Sequence, residues 1–256
     1  IMPSLVGSEM CIRDRYKASC FNATMAFAFW ECPMNQKFLP FPALAVDTSS
    51  VFLSLALGNG RQRWHKSLEV GQKHSEHLLP EIFALLHAAG LTLKDLNAFV
   101  YTAGPGSFTG LRIALSVLKG LALPTHTPLI AIPTLDAIAF NAPKKTRIVA
   151  VLDARMGEIY TAFYQGKPFV KIREDTLIKK NDPLWDSLFD DPDTVIIGNA
   201  FDSDGCSNYI NAHPEAANLL DLTHDFPYPR YRASDAPLHY VRHKVALTEK
   251  ERQKNG

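Results

Sequence analysis

No uninterrupted apolar run in this chain approaches the roughly 20 residues that a membrane-spanning helix needs, so nothing in the sequence calls for a bilayer. Charge imbalance is also lacking: 27 Lys and Arg stand against 26 Asp and Glu, a formal net charge of +1. A nucleic-acid, membrane-surface or acidic partner would have to meet a local patch, because the field of the whole molecule offers it little. Cysteine is scarce. Cys11, Cys20, Cys32 and Cys206 include no Cys-x-x-Cys pair, so the sequence offers neither a disulfide framework nor a paired-thiolate zinc site, and a reducing, cytoplasmic setting is expected. What remains, 46% hydrophobic residues over 256 positions, is enough for one large globular domain or two moderate ones.

The most informative stretch is residues 103–112, Ala-Gly-Pro-Gly-Ser-Phe-Thr-Gly-Leu-Arg. Residues 97–102 (Asn-Ala-Phe-Val-Tyr-Thr) have the β-branched and aromatic bias of a buried strand, which Gly104-Pro105-Gly106 ends with residues that free or fix φ. Ser107 or Thr109 then caps a helix reaching about residue 123. A strand, a glycine turn and a helix N-terminus suit either an anion or the close approach of two backbones. Short glycine patterns alone do not separate these readings.

Ahead of that turn, residues 43–47 read as a short apolar strand ending in Asp47, with Thr48-Ser49-Ser50 as a turn, a second strand over 51–57 and a more exposed third over 61–70. Residues 74–89 set Leu78, Leu79, Ile82, Leu85, Leu86 and Ala89 at helical spacing, with Ser75 as the expected cap, Pro80 as a kink and Gly90 as the stop. The helix after Ser107 is apolar nearly all round, carrying only Arg112 and Lys119 as charges. It is expected to be buried on two sides, within its own fold or against another chain. A strand over 129–132, a helix over 134–140 and the polar residues 141–146, a domain boundary, complete the first half.

The second half opens as the first does: Ile-Val-Ala-Val-Leu-Asp at 148–153, a turn over 154–157, then a strand over 158–164. Strand, terminal Asp, turn and strand occurring twice imply a duplicated α/β fold of two lobes, each a mixed sheet with flanking helices, as in actin and sugar kinases. A helix over 182–189 and a strand over 194–197 follow. The division expected is an extension foreign to the fold over 1–42, a first lobe over 43–142, a second over 143–228 and a basic, solvated tail over 229–256. Within the extension, residues 4–15 resemble translated adaptor sequence, and Met34 is the expected native start.

Five motifs in order then carry a resemblance: Val46-Asp47-Thr48-Ser49, His74-Ser75-Glu76-His77-Leu78-Leu79-Pro80, residues 104–113, Lys119-Gly120-Leu121-Ala122, and residues 153–160 (Asp-Ala-Arg-Met-Gly-Glu-Ile-Tyr). Together they closely resemble the TsaB (YeaZ) family over about residues 43–200, with a weaker echo at Pro237-Leu238-His239-Tyr240-Val241-Arg242. The resemblance implies an actin-like fold without catalysis of its own. It implies pairing with the transferase TsaD, which with the ATPase TsaE places a threonylcarbamoyl group on the adenosine next to the tRNA anticodon, so that tRNA is met only through the complex. Leu78, Leu79, Ile82, Leu85, Leu86, Leu111, Leu115 and Leu118 are then expected at the partner interface, where charges at Leu78, Leu85 or Leu118 should abolish pairing in a folded chain. Without TsaD the same helices could form a homodimer.

In actin-like folds the two Asp turns face each other across a nucleotide phosphate. Asp47, Thr48, Ser49, Gly104, Gly106 and Asp153 are accordingly the residues of a vestigial nucleotide site. Ser49 stands where a glycine would admit a phosphate, and Arg155 and Met156 crowd the matching turn, so Asp47 and Asp153 are expected to cap turns. No tightly bound cofactor is expected; ATP or ADP with Mg could lodge where the partners meet. His74 and His77, three apart beside Glu76, lack an apparent third ligand, and no metal is expected. The rival readings are an ATP-dependent transferase using Asp47, Gly104, Gly106 and Asp153, and a metallopeptidase using His74 and His77.

Overall fold

The computed structural model describes residues 39–143, 147–201 and 207–241, so most of the expected extension and the last part of the basic tail lie outside the described residues. In chain order the elements are β1 (Ala43–Asp47), β2 (Phe52–Gly58), β3 (Arg63–Glu69), α1 (His74–Ala89), β4 (Ala98–Gly104), α2 (Phe108–Ala122), β5 (Leu129–Pro133), α3 (Thr134–Phe140), β6 (Arg147–Asp153), β7 (Glu158–Gly166), β8 (Phe169–Lys179), α4 (Leu184–Phe189), β9 (Thr194–Gly198), β10 (Tyr209–Asn211), α5 (Ala216–Asp225) and β11 (Arg230–Tyr231). They form two sheets of order β11-β5-β4-β1-β2-β3 and β10-β9-β6-β7-β8. Setting β1 to β5 against β6 to β10 gives the same order of five strands in each sheet, with β11 an added edge strand of the first, so the duplication read from the Asp turns extends to those five strands. Each sheet is an antiparallel meander extended by parallel strands.

Alternation in the central strands decides what covers the first sheet. From β1, Leu44 and Val46 join Leu53, Leu55, Phe99 and Tyr101 in a core closed by α1 and α2. Ala43 and Ala45 point the other way, with Ala56, Ala98 and Val100, and are covered by Leu219, Leu220 and Leu222 of α5. Such a strand, apolar on both faces, reads as a continuous run with no polar alternation. The alanines leave room for α5 to lie close.

This arrangement corrects the expected division. Helix α5 falls in the stretch assigned to the second lobe, yet it covers β1, β2 and β4, and β11, from the expected tail, pairs with β5. Leu39 and Phe41, placed in the extension, also belong to the core on the α5 side, where Leu39 is buried. The first lobe is therefore assembled from separated parts of the chain.

Helix α1 has the expected bounds, but Lys73 precedes it without a side-chain cap, so Ser75 is already inside the first turn. Pro80 is within the helix and on its exposed side, where water can serve the carbonyl that loses its N–H partner. Gly90 stops the helix in the left-handed conformation, φ 67°. At α2, Ser107 is the cap, accepting from the Gly110 N–H at 3.3 Å.

The expected interface needs correction on the same grounds. Leu78, Ile82, Leu86, Leu111 and Leu118 are at most 2% exposed and Leu85 and Leu115 are 8% exposed, all in the lobe's own core. Only Leu79, 40% exposed, faces outward. Helical spacing selects the face that meets the sheet, and that face is already used.

Candidate functional site

The ends of β1 and β4 and the start of α2 meet in one place. Asp47, fully buried, uses Oδ1 to accept from the Ser49 hydroxyl at 2.7 Å, the Thr102 hydroxyl at 2.6 Å and the Ser49 N–H at 3.3 Å. Its Oδ2 is buried without a hydrogen-bond partner. Burial pushes the carboxyl pKa above its ordinary value, and the hydrogen bonds from Thr102 and Ser49 only partly oppose that. The geometry is that of a turn-capping carboxylate.

The glycine turn then seats on the Asp47 turn. Ser107 N–H donates to the Ser49 carbonyl at 2.8 Å, and a Cβ on Gly106 would lie 2.8 Å from Ser49 Cβ. Thr48 donates its hydroxyl to the Gly110 carbonyl at 2.9 Å, while a Cβ on Gly110 would come within 2.0 Å of the Thr48 carbonyl. The glycines thus serve the approach of backbone to backbone. Of the six residues expected at a nucleotide site, Asp47, Thr48, Ser49, Gly104 and Gly106 do come together. They close on one another, however, and leave Asp47 no exposed oxygen for a phosphate-bound metal.

Asp153 stands apart, at the end of β6, its side chain 41% exposed. It accepts from the Arg155 N–H at 2.9 Å, pairs with the Arg155 guanidinium at 3.4 Å, and gives its own N–H to Asn199 Oδ1 at 3.1 Å. Arg155 and Met156 both adopt positive φ, 63° and 57°. That conformation costs an L-residue roughly 1 kcal/mol or more. The turn projects Met156, 81% exposed, beside a hollow of about 520 Å³ bounded also by Lys179, Lys180 and Asn181. This second turn is the open counterpart of the closed first one.

His74 is buried with Nε2 3.1 Å from the Phe52 carbonyl, so its ring is engaged in packing α1 on β2. Among the described residues no three His, Cys, Asp or Glu side chains come together as a metal site, and no helix is long and apolar enough to cross a membrane.

Sequence reasoning missed Thr102 and Gly110, whose roles depend on pairing with the distant Asp47 and Thr48. Residues 237–241, read only as a weaker family echo within a solvated tail, form a strap on the first sheet. His239 N–H donates to the Ala103 carbonyl at 2.7 Å, Tyr101 hydroxyl donates to the Pro237 carbonyl at 2.6 Å, and the His239 carbonyl lies 2.4 Å from where a Cβ on Gly104 would be. With φ 115°, Gly104 is both conformationally and sterically reserved for glycine.

Residues 68–249 match the family model described as TsaD, tRNA N6-adenosine threonylcarbamoyltransferase. The chain belongs to this family. Its TsaB (YeaZ) character follows from individual relatives: the TsaB named as a tRNA threonylcarbamoyladenosine biosynthesis protein in Escherichia coli K12 is 43% identical over 126 residues, 48% of this chain and 54% of that one. The protein of the same name in Bacillus subtilis 168 is 33% identical, again over 48% of this chain and 55% of its own length. The chain thus spans about half the length of these curated relatives. Among solved structures, YeaZ from Pseudomonas aeruginosa has a TM-score of 0.66 at 27% identity, over 77% of this chain and 98% of that one. A second Pseudomonas aeruginosa structure, described as similar to peptidase YEAZ, gives 0.67 at 27% identity, over 78% and 99%. The TsaB-like fold is the two-lobed actin-like α/β arrangement expected.

Proposed function

We propose that this TsaB-like chain is a non-catalytic, TsaD-activating subunit in the synthesis of threonylcarbamoyladenosine on tRNA, acting in the cytoplasm. The observation that carries the reading is the ordered likeness to TsaB proteins together with a phosphate turn that is closed: Asp47 spends its accepting oxygen on Ser49 and Thr102, and Gly106 lies against Ser49. A protein that retains the lobes and seals the turn suits a supporting subunit better than an ATP-dependent transferase. Any ATP or ADP with Mg would then belong to the junction with partners.

The first-lobe helices remain the face assigned to TsaD, but through other residues than the core leucines. On α1 the outward row is Leu79, Phe83 and His87, with Leu79 40% and Phe83 46% exposed. On α2, Ile113 and Val117 are half-buried, and Ser116 and Gly120 are exposed. An apolar row with small neighbours suits helix-to-helix contact. TsaE would join through the complex, and a homodimer on the same face is the competing occupant.

The test is modification of tRNA by TsaD, TsaE and threonylcarbamoyl-adenylate with and without this chain. Modification that requires the chain supports the reading. No stimulation, with a competent TsaB from another source active in the same mixture, overturns it.

A further inference from the structure

The turn that joins β6 to β7 is left-handed over three successive residues, with φ 63° at Arg155, 57° at Met156 and 73° at Gly157. Glu158 N–H closes it on the Arg155 carbonyl at 3.1 Å. Met156 and Gly157 thus hold the two central positions of a hairpin turn that requires positive φ at both, where Asn-Gly or Asp-Gly is the low-cost pair. Methionine has no such advantage in this conformation, and its side chain is 81% exposed. Neither the turn nor the core accounts for that choice of residue.

The duplicated strand order shows how the two Asp turns differ. Residues 105–128, between β4 and β5, hold α2, which seats on the first turn through the Ser107 N–H on the Ser49 carbonyl at 2.8 Å. Their counterparts between β9 and β10 are residues 199–208, too short a stretch for a helix of the 15 residues of α2. Among the described residues no helix stands in its place, so the second lobe provides no equivalent cover for residues 154–157.

Beside this turn lies the hollow of about 520 Å³ lined by Met156, Gly157, Glu158, Lys179, Lys180 and Asn181. Lys179 stands opposite Glu158 in the β7–β8 register, and Lys180, exposed, adds a positive charge that no second lining carboxylate balances. The surface is held in place from beneath. Lys180 N–H donates to the Gly157 carbonyl at 2.8 Å. Further up β8, Lys171 ties the strand to α3, its Nζ 2.9 Å from Asp136 and 2.6 Å from Asp175, with all three side chains at most 20% exposed. A preformed surface of this kind loses little conformational freedom when a partner is held on it.

We propose that the Met156 turn and the Lys179–Lys180 end of β8 form a docking surface for a protein partner that brings an acidic segment, with an apolar side chain on Met156 and a carboxylate beside Lys180. Helices α1 and α2 pack on the first sheet, so this surface is separate from the one assigned to TsaD and does not depend on it.

A capped Glu-Glu-Leu-Glu-Glu peptide titrated into the full chain, followed at the Gly157 and Lys180 amides by NMR, tests the surface. Saturable shifts are expected, with a dissociation constant of about 1 mM. Lys179→Gln with Lys180→Gln should weaken binding at least about threefold. Met156→Asn should weaken it by about as much while its unfolding midpoint holds or rises, because asparagine suits the turn. The proposal is overturned by no saturation up to about 10 mM peptide, or by equal binding of tripolyphosphate or of the peptide with lysine for glutamate. Shifts that follow protein concentration without peptide, the mark of a second copy on this face, overturn it too, as does a lowered unfolding midpoint in Met156→Asn.

Discussion

The Gly110 Cα lies so close to the Thr48 carbonyl that a methyl group on it would fall within 2.0 Å of that oxygen, while the Thr48 hydroxyl donates to the Gly110 carbonyl at 2.9 Å. Helix α2 is therefore seated on the Asp47 turn at its third residue, with no side chain between.

Two effects compete in Gly110→Ala. Alanine improves helix propensity by about 1 kcal/mol, but the added methyl meets backbone, which cannot rotate away. Loss of about 2 kcal/mol or more in denaturant unfolding is expected. A stabilised variant would show that α2 can shift without disturbing the turn.

The exposed and buried positions of α1 and α2 should separate folding from partnership. Leu118→Ala, in the core, should cost about 2–5 kcal/mol. Phe83→Asp should leave the melting temperature within a few degrees and weaken TsaD binding at least about tenfold. Calorimetry and a pull-down titration on the two variants make the comparison, and equal pairing by Phe83→Asp would remove α1 from the interface.

Asp47 makes stability depend on pH in a stated direction. Its folded pKa is above the ordinary 3.8, so the unfolded chain releases this proton first as pH rises, and stability falls between the unfolded and the folded pKa. Asp47→Asn has no such group. Compared by urea unfolding from pH 4 to pH 7, the variant should gain on the wild type as pH rises, whereas a constant difference would mean that Asp47 is ionised at little cost.

Lys171→Met should leave Asp136 and Asp175 without their ammonium and cost about 3–5 kcal/mol, as for a buried ion pair deprived of one partner. Adding Asp175→Asn should recover part of that loss. A double-mutant cycle of denaturant unfolding measures the coupling, and strict additivity would show that the two side chains do not act together.

Much of the fold was legible because it is local. The Asp47 and Asp153 turns, β1 to β3, β6, β7 and α1 all follow from periodicity over a few residues, whereas β8 went unread. Helix α5 was missed although Ala216, Leu219, Leu220 and Thr223 are at helical spacing, because the proline-rich and aromatic residues just beyond it dominate the stretch. The candidate site was legible only in part. Asp47 and the glycines stand out as residue types, but whether the turn is open depends on Ser107 meeting Ser49 and on Thr102 meeting Asp47, contacts between distant segments. The core leucines were mistaken for a surface because a helix apolar on most of its circumference does not reveal which side the sheet takes.

The return of α5 and β11 to the first sheet sets an order on synthesis. When the ribosome has made β1 to β5, the alanine face formed by Ala43, Ala45, Ala56 and Ala98 has no cover, and Leu219 and Leu220 will be made only after the whole second sheet. The first lobe must wait with an apolar face open while the second folds, so of the two it is the lobe more in need of protection as the chain emerges.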